Sequence, residues 1–325
     1  MTIAKTFIPG LAAFALAPFA ASAQNDCSPE EWPCDTVEVV SHSSAGGGTD
    51  TTIRMWMEEA RDLIDEDIRV VYKQGGGARA AHEYLVDRGP DGHTIFALTQ
   101  THLYTIARGN SPVEIEQLQG VARAMDDPSV IVVRADSDIE SYDQLVDSSQ
   151  DQALTWGVAQ VGGTEHIGIS RWAGAADAEI RVVPFGGGGD MITSLRSGAV
   201  DASLANISEA LPQIQEGDLR AIAVLYPERV GDLPDVPSTY ENGHDVSVTT
   251  TRGYFVHGDT DPAIVAEIEE MILEAMSSER FEDYLRSSGL DPESNVAGAE
   301  EWDAQLKDEY NVSLEALRDL GMTDR

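Results

Sequence analysis

Apolar and polar positions along the chain follow two periods, and the two alternate. Short runs with strand character occur at TVEVVS (36–41), DIRVVYK (67–73) and HTIFALT (93–99). Between them the apolar positions recur every three to four residues, the helical period. Residues 50–64 bring Ile53, Trp56, Met57, Ala60 and Leu63 or Ile64 to one face, and 77–89 form a second helix ending near Gly89. This strand–helix–strand–helix–strand order predicts a parallel sheet with right-handed crossovers.

The alternation then starts again. Strands are predicted at 153–159, 180–185, 200–206 and 219–225, with helices at 164–175, 190–197 and 208–216 between them. VARAMDDPSVIVVRAD (121–136) reads as a strand-like connection, and DVSVTTTRGYFVHG (245–258) as a second long β-like stretch. Beyond it only helices are expected, over 262–277, 279–287 and 298–319. The second half holds its full set of strands before residue 245, so these last helices need the first sheet to cover. About 300 residues also exceed one comfortable core. The fold class predicted is α/β, with two lobes: residues 36–126 with 250–325, and residues 127–249. Two crossing strands would hinge them over a cleft, the layout of a binding protein that closes on its ligand.

The strands of both lobes lead into glycine. IRVVYKQGGG (68–77) and IRVVPFGGGG (180–189) align without a gap, and AGGGTD (45–50) and QVGGT (160–164) are two further glycine turns. Nucleotide chemistry does not fit them. No turn carries the Gly-Lys-Ser/Thr of a phosphate loop, the third glycine of a dinucleotide fingerprint is Thr51, and Asp190 would repel a pyrophosphate. What remains is general physics. Glycines allow close backbone approach, and helix N-terminal amides are unpaired donors at the positive end of the macrodipole. Gathered at the carboxyl edge of a sheet, where open α/β sheets bind ligands, they suit a carboxylate. No catalytic constellation competes. Ser170 lies within a predicted helix, the seven histidines include no H-x-x-x-H pair, and no two carboxylates form an argued acid–base pair. No cofactor and no metal is expected.

Composition adds compartment and partner class. Residues 1–23 combine Lys5, an apolar run and a terminal ASA, which predicts a signal peptide cleaved after Ala23 and an exported protein. The only cysteines, Cys27 and Cys34, fall in the segment 24–35, and an exported compartment favours a disulfide between them. The formal charge is −36, carried by 57 acidic residues spread along the chain. That argues against nucleic acid and anionic membranes as partners, and for adaptation to salt. It does not set the charge of a pocket, because surface charges are screened over about 8 Å.

These motifs resemble those of the periplasmic substrate-binding proteins of tripartite tricarboxylate transporters, the Bug or TctC-like family. The stretches are AGGGTD (45–50), QGGGA (74–78), PDGHT (90–94), GVAQVGGTEHI (157–167), VPFGGGGD (183–190), SGAVDASLAN (197–206), GDLRAIAV (217–224) and LPDVPS (233–238). The family's usual Val-Pro-Phe before the first glycine run is replaced by SHSS (41–44). The resemblance implies a monomeric, non-enzymatic protein that closes on an organic di- or tricarboxylate and delivers it to a membrane permease. It implies ligand contacts from Ser44, Gly47, Gly48, Thr49, Thr99 and Thr101 in the first lobe. In the second it implies Gln160, Gly163, Thr164, His166, Gly187, Gly188 and Asn206. Arg252, in the return crossing, is set to clamp a second carboxylate or to pair with a structural acid. Asp50 and Asp190 read as braces of their loops. Other readings are an aromatic or heteroaromatic carboxylate, an uncharged small molecule, a cation binder, and a secreted α/β enzyme.

Overall fold

The computed structural model describes residues 27–323; the predicted signal peptide lies outside them. Cys27 and Cys34 form a disulfide, and the Cys34 amide donates to His93 Nε2 at 3.2 Å. The first lobe opens with β1 (Val37–Ser41), α1 (Gly48–Ala60), β2 (Ile68–Tyr72), α2 (Arg79–Arg88), β3 (Thr94–Leu98) and α3 (Gln100–Ala107). Then comes β4 (Leu118–Arg134), a single long strand. The second lobe follows with α4 (Tyr142–Asp151), β5 (Leu154–Val158), α5 (Thr164–Ala175), β6 (Ile180–Pro184), α6 (Gly188–Arg196), β7 (Ala202–Asn206), α7 (Ile207–Gln215) and β8 (Leu219–Val224). The chain returns through β9 (Thr249–His257) and ends in α8 (Pro262–Met276), α9 (Glu279–Ser287), α10 (Pro292–Asn295) and α11 (Ala299–Asp319).

The strands run in the order β2-β1-β3-β9-β4-β7-β5-β6, with β8 also on β4. β1 pairs in parallel with β2 and β3, and β5 with β6 and β7, as expected of crossover units. β9 enters antiparallel between β3 and β4. β4 is shared: Leu118 to Pro128 pair with β9, and from Ser129 onward it pairs with β7 and β8. The two strands that carry the matching IRVV sequences, β2 and β6, are the outer strands at opposite ends of this order. Each lobe has its own apolar core on both faces of its sheet, one centred on Trp56 and Phe281, another on Trp156 and Trp172. A small cluster of Tyr104 and Ala107 from α3, Ile167 from α5 and Leu317 from α11 joins them.

Differences from the sequence reading have local causes. α1 starts at Gly48 rather than residue 50, because Asp50 reaches back to accept from the Gly46 amide at 2.9 Å and shapes the turn before it. It stops at Ala60, and Leu63 beyond it is exposed. α3 was not predicted: all eight of its residues are buried, so no polar face marks a helical period. α4 and α10 were also missed. α4 buries only Tyr142, Leu145 and Ser149, and α10 is a single turn. β4 starts at Leu118, three residues before the strand-like stretch expected over 121–136, and runs through Asp126, Asp127 and Pro128 as that reading expected, changing partners after Pro128.

α11 closes the first lobe over the hinge. The Trp302 indole lies on Gly253 of β9, where any Cβ would collide with the ring, and its Nε1 donates to the Tyr254 carbonyl at 3.0 Å. Glu309 accepts from Thr251 Oγ1 at 2.9 Å and from Gln100 Nε2 at 3.1 Å. The last helix is thereby tied to both the return crossing and α3.

Candidate functional site

The glycine turns converge where the two lobes face each other. Gly47 and Gly48 open α1, Thr164 opens α5 after Gly163, and Gly188 opens α6 after Gly187. Each helix therefore points its unpaired amides into the cleft. Together with Thr49, Thr99, Thr101, Gln160, Asn206 and Arg252 they line a cavity of about 30 Å³. It shares Gly47, Gly48 and Glu209 with a hollow of about 280 Å³ on the α6–α7 side. It shares His42 and Gln160 with another of about 450 Å³, which the 74–77 turn lines. Ten of the fourteen expected ligand residues thus share one wall. A larger groove, about 510 Å³, lies on the second lobe alone, and its Arg134 and Arg196 are paired with Asp136 and Asp218.

The remaining four stand just behind that wall. His166 Nδ1 accepts from the Gly162 amide at 2.7 Å, so it braces the 160–164 turn. Ser44 packs against Gly187 from the opposite lobe, and Gly163 lies against Thr101 in the same way; both glycines leave the space a Cβ would fill. Asp50 braces its loop as expected, accepting from Gly46, Arg54 and Tyr72. Asp190 lies in the first turn of α6 beside Gly186.

Arg252 is engaged by the protein's own acids. Its Nη1 donates to Asp127 Oδ2 at 2.6 Å, and its Nη2 to Glu209 Oε1 and Asn206 Oδ1, each at 3.2 Å. Burial alone would lower its pKa, but Asp127 and Glu209 outweigh that and raise it. Glu209 Oε1 also accepts from the Gly48 amide at 2.9 Å. A carboxylate from the first turn of α7 therefore reaches across the cleft and lies at the α1 N-terminus. Burial is the largest influence on Glu209, and its pKa is raised.

Sequence reasoning missed Glu209, Glu165, His42, Ser43, Ala159 and Thr250, which also line the cavity. Glu165 adjoins the glycine turn in sequence, which was the available signal. Burial first, and Glu209 next, raise its pKa to about 7. Glu209 carries no local signal, because only the packing of α7 brings it to α1. His42 begins a buried row of rings. It meets His102 edge-on at 4.5 Å, His102 Nδ1 lies 2.9 Å from His82 Nε2, and His82 Nδ1 lies 2.9 Å from Ser111 Oγ. Burial lowers all three pKa values, His42 to about 4 and His82 to about 3, so the rings are neutral near pH 7.

The family model of the tripartite tricarboxylate transporter family receptor, TctC, matches residues 52–313, most of the chain. The chain belongs to the TctC receptor family. This receptor is similar to the protein BugT of Bordetella pertussis, at 23% identity over 272 residues, 82% of this chain and 83% of that protein. It is similar in fold to the periplasmic binding protein BugD, with a TM-score of 0.84 at 22% identity, covering 90% of this chain and 99% of that one. It is similar also to MatC from Rhodopseudomonas palustris with bound malate, with a TM-score of 0.81 at 23% identity, covering 88% and 100%. Family and fold thus agree with the resemblance drawn from the motifs. No helix among the described residues of the receptor is long and apolar enough to cross a membrane.

Proposed function

We propose that this TctC receptor is an exported, periplasmic, non-enzymatic binding protein. It captures a small organic carboxylate by lobe closure and delivers it to the membrane permease of a tripartite tricarboxylate transporter. The lobes are taken as 36–126 with 250–325 and 127–249, working as a monomer, with residues 24–35 pinned by the disulfide. One observation carries the reading: helix N-termini and hydroxyls from both lobes line a single cavity in the cleft. Two of those hydroxyls, Thr164 Oγ1 and Thr250 Oγ1, are buried without a partner. A ligand that touches both lobes favours the closed state by its differential affinity. Contacts are assigned to Gly47, Gly48, Thr49, Thr99, Thr101, Gln160, Thr164, Gly188 and Asn206. Ser44, Gly163, His166 and Gly187 position the turns, and Arg252 holds the cleft acids.

A di- or tricarboxylate is the first class to test, and the malate bound to MatC supports including it. The experiment is a thermal-shift screen of residues 24–325 with citrate, malate, succinate, terephthalate and nicotinate, and polyamines as controls. A ligand at a hundred times its Kd adds about 2.7 kcal/mol, roughly 5 °C for a protein of this size. A rise with carboxylate-bearing compounds is expected. A rise only with compounds lacking a carboxylate would overturn the reading.

A further inference from the structure

The charge around the cavity is unusual for a site that takes plain polycarboxylates. Three carboxylates, Asp127, Glu165 and Glu209, stand in its wall or directly behind it, against the single guanidinium of Arg252. Asp127 and Glu209 already occupy that guanidinium. Glu165 has no ion-pair partner among the described residues, and burial holds its pKa at about 7, so a cation beside it would favour its ionised form. Both hydrogen bonds to Glu209 fall on Oε1, while Oε2 lies over Gly188, where a Cβ would collide with it. Two further cations lie outside this wall: Arg108 packs against Gly162 and donates through Nε to the Tyr104 carbonyl, and Arg196, in the adjoining hollow, pairs with Asp218.

The same cavity also holds donors without partners. Thr164 and Thr250, 2% and 5% exposed, each present an unpaired hydroxyl. Hydroxyls and helix amides therefore sit beside two carboxyl groups in one small space. We infer that Glu165 and Glu209 are specificity-determining residues, which make this receptor prefer a carboxylate that also carries a cationic group, such as a protonated amine, over a plain dicarboxylate of the same length. The amine would replace the missing counter-charge at the two acids, and the carboxylate would take the amides and hydroxyls. A second ligand carboxylate would instead face two like charges in a desolvated site. This rests on the carboxylate reading above.

The test is titration calorimetry with a matched set: succinate, 4-aminobutyrate, aspartate and 1,4-diaminobutane. The expected result is at least tenfold tighter binding of 4-aminobutyrate or aspartate than of succinate. Glu165→Gln and Glu209→Gln should each reduce that ratio about tenfold. Near-UV circular dichroism checks that the variants fold, and either variant alone suffices. Succinate binding as tightly as the amine-bearing compounds would overturn this inference and leave the carboxylate reading intact. An unchanged ratio in both variants would do the same. Binding of 1,4-diaminobutane alone would overturn both, and binding of none of the four would overturn this inference.

Discussion

Arg252→Met is the most informative single substitution. The methionine keeps an unbranched apolar stem beside Met125 and removes only the guanidinium. Asp127 is then left fully buried without its 2.6 Å counter-ion, and Glu209 loses its contact at 3.2 Å. Two unit charges about 4 Å apart interact by about 4 kcal/mol at an effective dielectric of 20. Removing one member of a buried pair typically costs about 3–5 kcal/mol, against about 0–1 kcal/mol for an exposed pair. Ser208 still donates to Asp127 through its hydroxyl and amide, so the lower part of that range, about 3 kcal/mol, is expected. The assay is urea unfolding at pH 7, with Asp127→Asn and the double variant completing a cycle. The double variant should recover most of the loss, because the fully buried charge of Asp127 is no longer left unpaired. Acidification should also narrow the deficit of the single variant, since a buried carboxylate without a counter-ion binds a proton more readily in the folded state. A loss below about 1 kcal/mol, or a double variant no better than the single, would refute a structural role for Arg252 at the hinge.

Other expectations follow from neighbouring features. Gly253→Ala drives a methyl into the Trp302 ring and should cost about 1–3 kcal/mol in the same assay, as overpacked cores do. Glu165, with its pKa raised to about 7, contributes stability that is fully present below about pH 4.5 and is lost as pH rises through 7. Wild type should therefore gain about 2 kcal/mol on Glu165→Gln between pH 7 and pH 5. His82, held neutral to about 3, acts oppositely: its contribution is present above about pH 6.5 and is lost as pH falls. His82→Gln should escape about 2 kcal/mol of that acid loss, measured as the change in unfolding free energy between the same two pH values. Replacing Cys27 and Cys34 together by serine opens a loop of sequence separation 7 and should cost about 2–3 kcal/mol, read as a lower urea midpoint.

Much of this molecule was decided by sequence alone. Alternating periods placed α5 and α9 to the residue, and most strands to within a residue or two, because each element buries one face and exposes the other. The glycine turns were legible for a similar reason: close approach of backbone to backbone leaves few alternatives to glycine, as Gly187 against Ser44 shows. Motif order pointed to the TctC family and to most of the cavity wall. Tertiary structure decided what periodicity cannot carry. α3 is buried on every side and so has no amphipathic signature. The strand-like stretch 121–136 was legible, but not that β4 changes partners after Pro128 or that Arg252 neutralises Asp127 from the neighbouring strand. Above all, Glu209 lies more than 150 residues from Gly48 in sequence yet 2.9 Å from its amide in space. Its carboxyl group is one among many in the sequence and becomes part of the cavity wall only when the lobes face each other. Local pattern sets which faces are apolar and where the backbone turns. The charge of a pocket is set by which side chains long-range packing brings together.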